Sequence, residues 1–367
     1  MRVLFLQQQP CMRAFKYAVG LHATRPDIRL GFAYQGKTLS EWYGSGDELF
    51  DGWWDLGAEP RFRLRGVVDE FQPDLIHSHN LPDSLTVLAN ELVGRRIPVV
   101  HDVHDLQSLR RTAYENGFPE PGDLRGLERR AVTGSAAVVT VSEELLRELE
   151  LRYELPARTL VFANYALRRH FPRLPTFIEH RSSYPPKIVY QGTLSTNGGH
   201  YDLREIFRAL LAEGVSLDVY PSRDVPAYRE IQGLTYHQTL EPAALLRALT
   251  KYDFGWAGFN SELNAPHLDT VLPNKAFEYL ACGLPILTLN HQALRRFVRE
   301  KGLGISLGAP SELAPELARR NIVKLRRRVA AARTTLTVEH NIHRLAGLYE
   351  RVLGREPLLK EATEAAV

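Results

Sequence analysis

Cysteine is nearly missing from this chain: Cys11 and Cys282 are the only two in 367 residues. They give no disulfide framework, and their sequence neighbours give no metal-ligand spacing. Long apolar runs are missing too; nothing approaches the roughly 18 consecutive apolar residues that a membrane-spanning helix needs. The opening Met1-Arg-Val-Leu-Phe-Leu6 turns polar at Gln7, too soon for the apolar core of a signal peptide, so a reducing cytoplasm is the expected setting. The first apolar strand is not followed by Gly-x-Gly-x-x-Gly, which argues against a dinucleotide-dependent dehydrogenase. Nucleic-acid modules are absent as well: no zinc spacing, no aromatic RNP-like strand, no basic helix joined to heptads.

What is present is ordinary for a globular protein, with 44% hydrophobic and 24% charged residues and a formal net charge of +3. The length suggests two domains, each able to bury its own core. Basic residues cluster at Arg61, Arg63 and Arg65, at Arg110 and Arg111, at Arg125, Arg129 and Arg130, and at Arg326 to Arg328. Solvated helix faces account for such clusters. The alternative is attraction to an anionic membrane surface, worth about 1 kcal/mol per basic residue.

Along the chain, apolar strands alternate with helical periods. Arg2 to Leu6, Asp74 to His77, Ile97 to Val100, Ala136 to Val141 and Leu160 to Ala163 read as strands, with helices at 12–22, 67–71, 82–93, 124–134 and 143–150. This rhythm implies a parallel sheet covered on both faces, with ligands beyond the C-terminal strand ends. His77, His79, His101, His104 and Asp105 fall there. A metal reading of the histidines fails on spacing: they come from two strand ends and carry no matching acid-His motif on a helix. Between the first helix and this run, Thr38 to Arg65 holds Trp42, Tyr43, Trp53 and Trp54 at neither helical nor strand spacing. Trp42 and Trp53 are candidate sugar-stacking contacts in an acceptor-binding insertion; buried structural aromatics under a long loop are the competing reading. Proline-rich 166–187 reads as a linker, after which strands at 187–191, 216–220, 234–237 and 253–259 restart the rhythm. The C-terminal part, 315–353, is helical and basic, and 358–367 reads as a frayed tail.

The stretch Leu272 to Leu289, L-P-N-K-A-F-E-Y-L-A-C-G-L-P-I-L-T-L, organises the second half. Pro273 suits a helix's first turn, Gly283 a left-handed position past its end, and Pro285 prevents resumption. Phe277, Leu280 and Ala281 share one stripe, while Lys275, Glu278 and Cys282 share another. A helix N-terminus carrying a lysine can hold an anion. The bland alternative is an amphipathic helix with a surface Lys275–Glu278 pair.

This stretch resembles the donor-site signature of family-4-like glycosyltransferases, which have the GT-B fold. D-L-I-H-S-H-N (residues 74–80) and D-V-H-D-L (102–106) are similar to the same family's strand-end motifs. V-T-V-S-E-E-L (139–145) and Asn164 resemble its V-S-E-x-L element and the asparagine of its P-N-G turn. The resemblance implies an α/β chain of two Rossmann-like domains facing across a cleft: an acceptor domain at 1–170, with a helix at about 340–356 packing back on it, and a nucleotide-sugar donor domain at 186–339. It implies a metal-independent, hexosyltransferase-like, retaining enzyme without a cofactor, consistent with the lack of an Asp-x-Asp pair. By resemblance, Glu278 grips the donor ribose, and Gln238 to Leu240 lie at the base. His104 is placed over the donor sugar; the diphosphate is expected among Gly192, Thr193, Asn274 and Lys275. Arg223 and Lys275 are candidate substitutes for the arginine and lysine that the family's 192–199 loop carries and this one lacks. The first glutamate of the family's pair is here Thr270, beside Asp269. His79 and Asp105, with Trp42 and Trp53, are the expected acceptor contacts. The acceptor is expected to be a saccharide or lipid-linked saccharide of bacterial surface polysaccharide or glycolipid synthesis, with the chain cytoplasmic or peripheral at the membrane's inner face. The competing functions are a nucleotide-sugar 2-epimerase on the same fold and a non-catalytic binding subunit.

Overall fold

The computed structural model describes residues 1–112, 122–174 and 185–355. The apolar runs form strands and the periodic segments cover them. In the first half these are β1 (Arg2–Gln7), α1 (Met12–Thr24), β2 (Arg29–Tyr34), α2 (Leu39–Tyr43), β3 (Gly52–Asp55), α3 (Pro60–Phe71) and β4 (Leu75–His79). There follow α4 (Ser84–Val93), β5 (Val99–Val103), α5 (Leu124–Gly134), β6 (Ala137–Thr140), α6 (Glu143–Arg152) and β7 (Thr159–Val161). The seven strands make one parallel sheet ordered β3-β2-β1-β4-β5-β6-β7.

The second half repeats the plan with β8 (Lys187–Gly192), α7 (Arg204–Ala212), β9 (Ser216–Pro221), β10 (Leu234–Tyr236), α8 (Pro242–Leu249), β11 (Phe254–Trp256) and α9 (Ala265–Leu268). It continues with α10 (Asn274–Ala281), β12 (Ile286–Leu289), α11 (Gln292–Lys301), β13 (Gly304–Leu307), α12 (Leu313–Ala318) and α13 (Ile322–Ala332). Its parallel sheet is ordered β10-β9-β8-β11-β12-β13. The chain is therefore α/β with two Rossmann-like units. The first comprises residues 1–108, 113–163 and 338–367, and the second 109–112 and 164–337.

The last helix, α14 (Val338–Val352), belongs to the first unit. Its apolar residues Ile342, Leu345, Leu348 and Tyr349 are buried, as their three- and four-residue spacing requires. Gly20 is what lets α14 approach α1: a Cβ there would lie 2.8 Å from Val338 Cγ1 and 3.0 Å from Ile342 Cγ1. Arg25 donates to Glu350 at 2.6 Å across the same contact.

Three sequence expectations need correction. Trp53 and Trp54 are not loop residues but neighbours on edge strand β3, so their side chains point to opposite faces. Trp53 stacks on Phe32 with ring centroids 4.7 Å apart, and Trp54 tilts against Phe71 at 5.4 Å. The helix expected at 67–71 begins at Pro60, because Leu64, Val67 and Phe71 form a buried stripe that continues back through the arginines. Pro273 is the extended residue just before α10 rather than part of its first turn. Of the expected linker, 166–174 packs within the second unit: Ala166 bridges to Thr337, and Arg333 donates to the Pro172 carbonyl at 3.0 Å. Residues 175–184 and the expected tail at 358–367 lie outside the described residues.

Candidate functional site

In the second unit, β8 and α10 converge. Tyr279 brings them together: its hydroxyl accepts from the Gln191 N–H at 2.9 Å and donates to the Trp256 carbonyl at 3.1 Å. Its ring lies flat on β11, where a Cβ at Gly255 would come within 2.1 Å of it. The residue before Tyr279, half-buried Glu278, accepts a short hydrogen bond from Gln191 Nε2. That bond aims the carboxylate along the end of β8. Gln191 was not among the sequence candidates; a polar residue closing an apolar strand was the available signal.

Lys275 corrects the idea of a surface ion pair, because it is 8% exposed. Its Nζ donates to Tyr190 Oη at 2.8 Å and lies 4.1 Å from the Tyr190 ring centroid, 5.1 Å from that of Phe259 and 5.6 Å from that of Tyr201. The ammonium sits beneath the β8 loop: a Cβ on Gly192, whose φ is +120°, would be 3.6 Å from Nζ. Tyr190 also donates to the Thr193 carbonyl, so the lysine and the loop share one anchor. Gly192 accepts from the Ser222 N–H at 3.0 Å, which places exposed Arg223 one residue from the loop. The structure thus gathers Gly192, Thr193, Lys275 and Glu278, with Arg223 alongside. Asn274 is exposed at the first position of α10; Gln238 is exposed and Leu240 half-buried in the segment after β10.

Burial pushes the Lys275 amine down to about 7, with Glu278 opposing. His200, nearby, is pushed down to about 3 by burial and then by Arg110, His267 and Lys275. Arg110 is therefore another cation at this site that motif reading did not find. Its neighbour Arg111 donates its N–H to Asn264 Oδ1 at 2.9 Å, which docks residues 109–112 in this unit. Desolvated cations beneath a glycine loop suit a polyanion. A pH dependence follows. Between pH 7 and 10.5 the unfolded chain carries a proton on Lys275 that the native protein lacks, so stability rises with pH across that window. Lys275→Met should flatten this rise in urea melts at pH 7 and pH 9.5; an unchanged slope would remove the lysine as its source.

In the first unit the strand ends meet around a buried carboxylate absent from the sequence candidates. Asp102 on β5 is fully buried. It accepts from Arg13 Nε at 2.9 and 3.0 Å and from Tyr17 Oη at 2.8 Å, and His77 Nε2 lies 3.4 Å away. Burial alone would raise its pKa, but Arg13 and then His77 hold it well below the usual carboxylate range. His77 Nδ1 meets Tyr349 Oη of α14 at 2.5 Å. An acid inside a strand otherwise made of buried residues was the sequence signal for such a partner.

His79 is fully buried, because it points from β4 toward α1 among Phe5, Tyr17 and His77. As an acceptor contact it is corrected: no acceptor reaches it in this conformation. His77, His79 and Asp102 offer ligand atoms within 4.8 Å of one another. Distance alone does not make a metal site. The two rings stack at 4.7 Å and 29°, so their in-plane lone pairs do not converge on one ion, and Asp102 is already held by a cation.

His104 and Asp105 are half-buried at the end of β5. Asn80 fixes that turn: its Oδ1 accepts from the His104 N–H at 3.2 Å and its Nδ2 donates to the Asp105 carbonyl. Burial lowers the His104 pKa against the fields of Asp105 and Asp102, keeping the ring neutral. Trp42 is 44% exposed, with Lys37 Nζ 5.1 Å from its ring centroid. Half-buried Trp53 is held by Phe32 and by donation to the Asp47 carbonyl at 3.0 Å.

Comparison with known proteins meets this geometry. Residues 40–164 match the sequence profile of Glycosyltransferase Family 4. A sequence search of curated proteins finds no match. Among solved structures, the sucrose-phosphate synthase of Thermosynechococcus elongatus superposes with a TM-score of 0.68 at 12% identity, covering 96% of this chain and 99% of that one. A glycosyltransferase from Rickettsia africae gives 0.69 at 10%, over 96% and 98%. Anabaena HepE, solved in complex with UDP and glucose, gives 0.68 at 14%, over 96% and 100%. The chain has the GT-B fold. In this GT-B chain the profile match covers β3 to β7 of the first unit, and the structural likeness extends over both units.

Proposed function

We propose that the chain is a metal-independent, retaining hexosyltransferase. It would move a sugar from a nucleotide-sugar to an acceptor hydroxyl in bacterial surface polysaccharide or glycolipid synthesis. The observation that carries this reading is the convergence of Glu278, oriented by Gln191, with Lys275 beneath the Gly192 loop. A carboxylate held this way accepts from both ribose hydroxyls. The Gly192 and Thr193 N–H groups, the start of α10, Lys275 and Arg223 surround the diphosphate. Charge accumulates on that group as the glycosidic bond breaks, so these contacts strengthen toward the transition state. Gln238 to Leu240 lie at the base. Asp105, Trp42 and Trp53 of the first unit contact a saccharide or lipid-linked acceptor, and its exposed arginines favour peripheral attachment at the inner face of the membrane.

HepE's complex with UDP and glucose makes UDP-glucose the first donor to test. A thermal-shift screen of UDP-, GDP-, ADP- and TDP-sugars, followed by product analysis, tests the reading. Stabilisation by one of them with acceptor-dependent transfer is expected. Isomerised donor without an acceptor would mean an epimerase, and binding without turnover a non-catalytic subunit. His104→Ala should lower kcat by about 100-fold, the size of losing one transition-state hydrogen-bond donor, while donor Kd stays close to wild type. Equal loss of donor affinity would move His104 to ground-state binding.

A further inference from the structure

The second unit carries a cavity of about 550 Å³ that shares no residue with the donor site just described. Its floor is β13, the last strand of the sheet, whose free edge neighbours no other strand. Its walls come from the C-terminal end of α11 and from the turn joining α12 to α13. The volume falls in the range of small-molecule sites, roughly 300–1,000 Å³.

The charge of this cavity is one-sided. Arg299, Arg320, Lys324 and Arg328 line it against two carboxylates, Glu312 and Glu316. Both acids are already engaged. Glu316 pairs with Arg320 at 2.9 Å and with Arg319 at 3.6 Å, and Glu312 accepts from the Gly308 N–H at 2.7 Å. Arg299, Lys324 and Arg328 have no carboxylate within ion-pair distance among the described residues.

One of these cations is held in place by the backbone. Arg328 lies across the left-handed turn that ends α11. A Cβ on Gly302 would come within 2.1 Å of its Nη1 and 3.0 Å of its Cδ, so the stem packs where only glycine leaves room. A guanidinium positioned this way loses less side-chain entropy on binding. Neutral polar groups complete the lining: Ser306 donates to Asn290 Oδ1 at 2.9 Å, which leaves the Asn290 amide N–H groups for a ligand.

We propose that this cavity is a second anion site, taking a small phosphorylated molecule whose phosphate groups lie between Arg328, Lys324 and Arg299. A planar guanidinium fork beside an ammonium and a second guanidinium matches phosphate oxygens better than a lone carboxylate. The concave shape favours a soluble ligand over a lipid headgroup, which would need the cations on a projecting surface. Arg327 and Arg326, the other members of the basic run, are not in the lining. A ligand here would act on the second unit as an effector rather than as a substrate.

Inorganic pyrophosphate is the probe. Calorimetric titration of the whole chain should show two binding events. One is displaced by UDP and lost in Lys275→Met, which reports the donor site. The other persists in saturating UDP and weakens at least tenfold in Lys324→Ala/Arg328→Ala, as expected for removing charged hydrogen bonds. Both substituted side chains are exposed, so the double variant should melt as wild type does, and Arg208→Ala/Lys251→Ala, which removes two exposed charges outside the cavity, serves as a charge-matched control. Absence of a UDP-insensitive event would overturn the proposal, as would equal loss in the control. If UDP itself fails to bind, the donor reading fails alone, since the variant pair still identifies the second event. Sedimentation with phosphatidylglycerol vesicles that the double variant abolishes, without pyrophosphate binding, would overturn it in favour of a lipid surface.

Discussion

Asp102→Ala should destabilise the first unit by roughly 3–5 kcal/mol, the usual cost of leaving a buried charge without its partner. Arg13 is 4% exposed and Asp102 fully buried, so neither can turn to water for compensation. Tyr17 loses its acceptor in the same step. Urea denaturation at neutral pH would show the loss as a lower midpoint. The companion measurement decides whether the pair or the position matters. Arg13→Met/Asp102→Leu removes both charges together, and such replacements of buried pairs are often neutral or stabilising. The double variant should therefore recover most of the lost stability. If it is as unstable as Asp102→Ala, the ion pair is not what holds this region. Because the Asp102 pKa is depressed, its contribution is complete above the ordinary carboxylate range. It fades only as pH falls toward its own lower value.

Glu278→Ala should weaken nucleotide-sugar binding about 100-fold or more. Two hydrogen bonds from ribose hydroxyls to a carboxylate would be lost, each worth about 1.5–3 kcal/mol. A second effect enters through Lys275, whose amine Glu278 helps to keep protonated. The two separate by pH. Without Glu278 the Lys275 amine falls below about 7, so the lysine's share of the loss shrinks as pH drops below that value, whereas the ribose share does not. Gln191→Leu frees the carboxylate without removing it and should cost less. Titration of both variants with UDP tests the assignment; wild-type affinity in Glu278→Ala would end the ribose role.

Much of the architecture was readable because buried parallel strands leave long apolar runs. Lys187 to Gln191, Ser216 to Tyr220 and the helix at 124–134 emerge within a residue or two of where their periods place them. Edge strand β3 was not readable. Trp53 and Trp54 are adjacent, so the pattern shows no alternation, although each packs well on its own face. At the site, the motif reading located the helix and loop that approach each other, but not what orients them. Gln191, Tyr190 and Tyr279 act through contacts 85 to 88 residues apart in sequence, which no local spacing encodes. Sequence spacing left open a second reading of Lys275, as half of a surface pair with Glu278, and burial removes it. That burial depends on aromatic side chains from β8 and from the loops after β8 and β11.

The return of α14 to the first unit sets an order of assembly. A ribosome delivers residues 164–337, almost all of the second unit, before it has made the helix that supplies Tyr349 to His77 and Glu350 to Arg25. The later-synthesised half can thus complete its core first, while the earlier half waits with the groove beside Gly20 open. A released chain truncated after residue 337 should therefore show a protease-resistant second unit joined to a first unit that is still readily cleaved.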